Sequence, residues 1–319
     1  MTATGAAEPQ WTATASTSAA LAQRAFIWAC TLDIRVLKPG NVSLAAPGHG
    51  MTADQFLASA AAAAPALCAP GSAVGNRILA AVDATQAVVN CNTNLGIVLL
   101  CAPIAAAFEA AGETRDEARL RLALKHVLAG LTVTDARAAF RGIALANPGG
   151  LGTVPSQDVR DEPTLDLVSA MRLARDRDLI AQQYATDYAA LFEVGIAAFD
   201  AAVDHEASAR ARDADASRDS GAQIGYALQC VFLAFLSRYP DSHIVRKQGL
   251  AVAQSVKRQA RHWRTRLLAD RGAAQAGLAR WDAALKARRL NPGTSADLSV
   301  ATAFTAALLC PPLAQTTTA

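Results

Sequence analysis

Asn90-Cys91-Asn92-Thr93-Asn94-Leu95-Gly96 runs directly into Ile97-Val98-Leu99-Leu100-Cys101-Ala102-Pro103-Ile104, the most apolar run of the chain. Three amides and a hydroxyl thus lie within five residues, beside a segment that must be buried. A polar group left unpaired in such surroundings costs about 1–3 kcal/mol. No charge lies within the stretch, so it does not read as a solvated surface. Two readings remain open. It is a helix cap with an internal amide network, or a site whose hydrogen-bond partner is a ligand.

Outward from this stretch, composition sets the fold class. The chain has 319 residues, 52% hydrophobic but only 5% aromatic, with alanine abundant. Helices favour alanine and need no aromatics, whereas sheets favour aromatic and β-branched residues. An all-α protein is expected, a single multi-helix domain over residues 18–313 with apolar central helices. Thirty basic against 27 acidic residues give a net charge of +3. That balance argues against nucleic acid or an anionic membrane as partner. No apolar run reaches the ~18–20 residues that span a bilayer, since Pro103 interrupts the best candidate. The six cysteines are scattered without C-x-x-C spacing and are expected to be reduced core residues of a cytoplasmic protein. Residues 1–17 are rich in Ala, Thr and Ser, lack a basic leader region, and are expected to form a disordered tail.

Periodicity and punctuation place the helices. Leu21, Ala25, Trp28, Leu32 and Val36 mark one face of a helix over 18–37, which Lys38-Pro39-Gly40-Asn41 ends. Thr52-Ala53-Asp54-Gln55 opens a second helix that Pro65 and Pro70-Gly71 are expected to break. A third is expected over 72–89, then the buried helix over 94–111 closed by Gly112. Thr114-Arg115-Asp116-Glu117 reads as a capping box for the next, and a helix over 132–146 stops at Asn147-Pro148-Gly149-Gly150. Helices are expected over 164–175 and, as one long element, over 178–203. Residues 205–221, HEASARARDADASRDSG, carry no large apolar side chain and read as an exposed linker or a solvated helical extension. Apolar residues 224–236, a basic helix bearing Lys257, Arg258, Arg261, Arg264 and Arg266, a further helix to Arg289 and a last apolar helix over 298–309 complete the chain.

No zinc signature, P-loop or nucleophile elbow is present. The informative feature is a recurrence of Pro-Gly loops at helix junctions: Lys38–Asn41, Asn147–Gly150 and Asn291–Gly293. Free N–H groups and a partial positive charge mark helix N-termini, and glycine admits a ligand close to the backbone. Several such ends, with Lys38, Arg246 and Lys247, can cradle a polyphosphate; ordinary turn punctuation is the plainer account of any single loop. Asp297 and Asp241 suit helix caps equally well as Mg²⁺ ligands, since Mg²⁺ favours carboxylate together with phosphate oxygen. His49 lies in a glycine-bearing loop.

These motifs occur in a definite order. Lys38-Pro39-Gly40-Asn41-Val42, then His49, Met51 and Phe56, then Asn92-Thr93-Asn94-Leu95-Gly96, and finally Asn291-Pro292-Gly293-Thr294-Ser295-Ala296-Asp297-Leu298 follow one another. The set resembles the triphosphoribosyl-dephospho-CoA synthase family, from about Ser18 to Leu309. Asn147–Gly152, Asp158-Val159-Arg160, Arg177-Asp178-Leu179-Ile180, Asp241-Ser242 and Arg246-Lys247-Gln248-Gly249 are similar to the branch found with tetrahydromethanopterin-dependent one-carbon metabolism. The resemblance implies an all-α transferase that moves the ribosyl triphosphate of ATP to a hydroxyl of a dephospho-CoA-like acceptor and releases adenine. It implies Lys38, Gly40, Asn41, Thr93, Arg246, Lys247 and Gly293 as ATP contacts. Asn92, Asn94 and His49 would serve catalysis, and Asp241 and Asp297 would hold Mg²⁺. Where the family pattern reads Asn-Thr-His and then Lys-Gly, this chain has Asn94 and Leu95, and an amide exchanges no proton near pH 7. Two other readings stand beside it: an enzyme of one-carbon cofactor biosynthesis with a pterin- or furan-type acceptor, and a non-catalytic helical binding protein. A homo-oligomer is left open.

Overall fold

The computed structural model describes residues 11–46, 48, 50–147, 157–212 and 220–315. Among them are fourteen α-helices and no strand, only two isolated bridges in the loop after the first helix. The expected all-α architecture is therefore observed. One connected hydrophobic core runs from Ala22 to Leu308.

Two helices form its centre. Helix α4 (Leu95–Ala111) buries nearly every residue, as a circumference apolar but for Glu109 requires. Helix α14 (Gly293–Leu309) is equally buried despite Ser299, Thr302 and Thr305. Those hydroxyls donate to the carbonyls of Ser295, Leu298 and Ala301 four residues back, so no polar group is stranded. Around this pair pack α1 (Trp11–Arg35), α2 (Ala53–Leu67), α3 (Val74–Val89), α5 (Glu117–Ala129) and α10 (Ser220–Arg238). Helix α6 (Val133–Ala146) backs α3, and α12 (Leu250–Ala269) with α13 (Arg271–Ala287) forms a hairpin against α10. Trp263 and Trp281 stack between the hairpin's helices, ring centres 6.3 Å apart. Helix α12 buries Ala253, Val256, Ala260 and Leu267 and exposes Arg258, Arg261, Arg264 and Arg266.

Several expectations need correction. Pro65 lies inside α2, which ends only at Leu67; the Ala61 carbonyl that it leaves without a helical donor belongs to an exposed residue, where water can serve it. The α5 cap is Asp116, which accepts from the Ala118 and Arg119 amides, while Thr114 instead bonds the Asp116 amide. The segment 164–175 contracts to α7 (Leu167–Arg172), capped by Asp166. Helix α14 begins at Gly293, five residues before the expected start. The long helix over 178–203 is three pieces: α8 (Leu179–Ala185), a π-helical turn Leu191–Ile196 and α9 (Ala197–Arg212). Asp187 and Tyr188 have positive φ between the first two.

Two phenols beside this break reach α4. Pro103 has no N–H, so the Leu99 carbonyl loses its helical partner. The Tyr184 hydroxyl donates to that carbonyl at 2.6 Å, and the Tyr188 hydroxyl donates to the Leu100 carbonyl at 3.1 Å. The charged segment 205–221 enters α9, which runs to Arg212; residues 213–219 lie outside the described set, as do residues 1–10 of the expected tail, whereas residues 11–17 begin α1. All six cysteines are free, with Cys30, Cys68, Cys101 and Cys230 buried; Cys91 is only half-buried and Cys310 is exposed.

Candidate active site

The first turns of α4 and α14 meet. Gly96 lies so close to Asp297 that a Cβ there would overlap the Asp297 carboxylate and the Ile180 side chain. Only glycine admits this approach, which brings together two motifs 201 residues apart in sequence. Among the described residues, the N–H groups of Gly96 and Ile97 in α4 and of Gly293 and Thr294 in α14 find no acceptor. Such orphan donors, at the positive ends of two long helices, are a natural anion cradle.

Two short helices close the site from the side. Asp178 caps α8 and Asp241 caps α11 (Ser242–Gln248). The Ser242 hydroxyl accepts the Leu179 amide at 2.8 Å, fixing one cap region on the other. Asp241 is fully buried and uses both oxygens. Oδ1 accepts from the His243 and Ile244 amides, at 3.0 and 3.2 Å; Oδ2 accepts from the Ser295 amide and hydroxyl, each at 2.8 Å. The carboxylate that satisfies the first turn of α14 therefore comes from another helix, not from Asp297 as a local cap. Asp297 stands partly exposed, with no hydrogen bond or ion pair among the described residues. Burial, then the nearby carboxylates of Asp33 and Asp241, push its pKa well above the ordinary carboxylate value, with Arg246 opposing.

The opening amide cluster proves to be mostly network. The Asn92 side chain accepts the Leu95 amide at 3.2 Å and so caps α4. Thr93 and Ser59 of α2 share a hydroxyl contact of 2.6 Å, and the Asn94 amide donates to Thr85 of α3 at 3.0 Å. Three consecutive side chains thus join α4, α2 and α3. The Asn92 Nδ2 and Asn94 Oδ1 atoms accept or donate nothing else within the described chain.

The loop after α1 docks on the start of α14. Gly40, at φ +85°, donates its N–H to Asp282 at 2.8 Å, and a Cβ would strike the Leu290 carbonyl and the Pro292 ring. The Asn41 amide donates to Asn291 at 2.9 Å. Lys286 bridges Asp282 and the Ala46 carbonyl. Lys38 is fully buried; its ammonium lies 3.1 Å from Asp33 Oδ1 and donates to the Asp33 carbonyl at 2.6 Å. Burial lowers the Lys38 pKa, against the pull of Asp33. Gly293 packs against the His243 ring. Arg246 is half-buried and paired with Asp178, whereas Lys247 is exposed without a partner among the described residues. His49 and residues 148–152 of the third Pro-Gly loop lie outside the described residues. Two of the three Pro-Gly loops therefore converge.

A family model described as CitG, ATP:dephospho-CoA triphosphoribosyl transferase, matches residues 19–314. The chain belongs to this family. Its activity is accordingly that of an ATP-dependent triphosphoribosyl transferase, and ATP and dephospho-CoA are the substrates of its family. A crystal structure from Archaeoglobus fulgidus, provisionally named as a triphosphoribosyl-dephospho-CoA synthase, shares the transferase's fold. It matches at TM-score 0.56 and 22% identity, over 80% of this chain and 99% of its own. No curated protein matches the chain significantly. Among the described residues no helix is long and apolar enough to cross a membrane.

Three residues to which the sequence assigned no role, Gly96, Asp178 and Ser242, shape this candidate site. Gly96 was visible as a glycine in the first turn of an apolar helix, where alanine is the default. Asp178 and Ser242 stood in the quoted motifs at helix starts, without a role of their own. Their cross-helix bonds carry no sequence signal.

Proposed function

We propose that triphosphoribosyl transfer takes place where the first turns of α4 and α14 meet, beside α8 and α11. The observation that carries the reading is the Gly96–Asp297 apposition, in a chain of this family, with orphan backbone donors on both helices. In the reaction the C1′–N9 bond of ATP breaks and a C1′–O bond forms to the acceptor hydroxyl. The hydroxyl proton ends on the departing adenine, and the triphosphate stays on C5′.

Each group has a physical task. The N–H groups of Gly96, Ile97, Gly293 and Thr294, with the Arg246 guanidinium and Lys247, hold triphosphate oxygens. The Gly40–Asn41 loop shapes the start of α14. Asn92 and Asn94 keep one polar atom each for ribose or base while anchoring α4, with Thr93 holding them to α2. Asn94 offers hydrogen bonds but no proton, so positioning and electrostatics carry the rate rather than acid–base work at that place. Lys38 meets a phosphate only by leaving Asp33, and its burial favours a role in holding the loop. His49 is retained as a catalytic candidate on sequence grounds alone.

Mg²⁺ fits this donor set as a companion of the substrate. No group of three or more His, Cys, Asp or Glu residues that could cage a metal occurs among the described residues. Mg²⁺ needs only one or two carboxylates when phosphates supply the rest. Asp297, unbonded among the described residues and raised in pKa by burial and then by Asp33 and Asp241, is the carboxyl that a cation would favour in its ionised form; Asp241, with both oxygens engaged, supports it through the first turn of α14. The cation would neutralise triphosphate charge. A cytoplasmic location agrees with the free cysteines and ATP as substrate, and a homo-oligomer is compatible with the fold.

Family membership favours this reading over a one-carbon cofactor enzyme or a non-catalytic binding protein. The test is chromatographic detection of adenine from ATP, Mg²⁺ and dephospho-CoA. Stoichiometric adenine and a triphosphoribosylated acceptor are expected. Adenine release with a pterin- or furan-type acceptor and none with dephospho-CoA would assign the other acceptor class; no release with any would sink the reading.

A further inference from the structure

Asp178 does two things at once. Its Oδ1 accepts the Ile180 and Ala181 amides, at 2.8 and 3.1 Å, as the cap of α8. Its Oδ2 lies 3.4 Å from Nη1 of Arg246 on α11. The two side chains are 25% and 22% exposed, so this pair is shielded more than a surface ion pair. Arg246 Nε is buried and has no acceptor among the described residues. A guanidinium has five donors in a fixed fork. Here one arm is held by a carboxylate while a buried donor beside it is left unsatisfied. Such a group is costly at rest and ready for an anion. The backbone around it is rigidly set, because Ser242 ties α11 to α8 and Asp241 ties α11 to α14.

We infer that Asp178 is a positioning residue: it aims the Arg246 guanidinium at the triphosphate of ATP. The inference rests on the transferase reading above and adds to it the residue that holds the phosphate ligand in place. The plain alternative is that Asp178 only caps α8. Asn and Ser separate the two roles, because both cap helices well and neither carries charge for Arg246.

The experiment measures Mg·ATP binding by calorimetry, and KM for ATP with kcat, in wild type, Asp178→Asn, Asp178→Ser, Arg246→Ala and the double variant Asp178→Asn/Arg246→Ala. The dissociation constant and KM for ATP should rise about tenfold in both Asp178 variants, with the melting temperature little changed. Arg246→Ala should show a similar or larger rise, and the double variant should be no worse than Arg246→Ala, since the two residues act as one unit. Asp178→Asn and Asp178→Ser binding ATP like wild type would overturn the inference and leave the transferase reading intact. So would single-variant effects that multiply in the double variant. Wild type that binds no ATP would remove both.

Discussion

The carboxylate of Asp297 rests on Gly96, so the first turns of α14 and α4 touch through an acid and a residue without a side chain. The contact ties the two most buried helices of the molecule at the point where their backbone donors are unpaired. Gly96→Ala should therefore push Asp297 and Ile180 aside. Overpacking of this kind costs about 1–3 kcal/mol. The expected result is a lower urea midpoint and at least a tenfold loss of adenine release. Wild-type activity in Gly96→Ala would show that the apposition is not needed.

Asp297 also sets a pH dependence. Its folded-state pKa is raised from 3.8, first by burial and then by Asp33 and Asp241. The folded protein holds a proton that the unfolded chain gives up near 3.8. Its stabilising effect is complete below that value and is lost as pH rises through the folded pKa. Asparagine cannot ionise. Asp297→Asn should match wild type in thermal stability at pH 3.5 and exceed it increasingly towards pH 8, while losing activity. Equal melting curves at all pH values would contradict the shift.

Pro103 and Tyr184 form a pair testable by a double-mutant cycle. Tyr184→Phe leaves the Leu99 carbonyl unsatisfied and should cost about 1–3 kcal/mol. Pro103→Ala restores an N–H that can take this carbonyl. Tyr184→Phe should therefore be cheaper in the Pro103→Ala background, with a coupling above about 0.5 kcal/mol in urea unfolding. Additive effects would separate the two.

Lys38 and Asp33 are the chain's fully enclosed ion pair among those described, exposed 0% and 5% in their side chains. Lys38→Met strands the carboxylate, and loss of one partner of a buried pair costs about 3–5 kcal/mol. Asp33→Leu/Lys38→Met should recover much of that loss. If Lys38→Met folds with wild-type stability but fails to bind ATP, Lys38 acts on phosphate and not on the loop.

The fold class was legible because it rests on bulk properties: few aromatics, much alanine, and apolar residues at helical spacing. Most helix ends were legible through local chemistry, as with Thr52 and Gln55 or Gly112. What failed was where one element answers another. The 178–203 segment has the composition of a helix, yet it breaks where Asp187 and Tyr188 take positive φ, and its two phenols reach carbonyls of α4. Asp241 read as a cap for its own helix, which it is, yet its second oxygen also holds the first turn of α14. Asn92, Thr93 and Asn94 were correctly marked as needing partners. Sequence alone could not say that Thr85, Ser59 and a backbone amide supply most of them.

Asp241 gives the site an unusual kinetic signature. The amides of His243, Ile244 and Ser295 all depend on this one carboxyl, though the last lies more than 50 residues along the chain. An opening that displaces this carboxyl removes the acceptor of all three at once. In native-state hydrogen exchange the three protons should therefore leave together, and bound Mg·ATP should slow all three by the same factor.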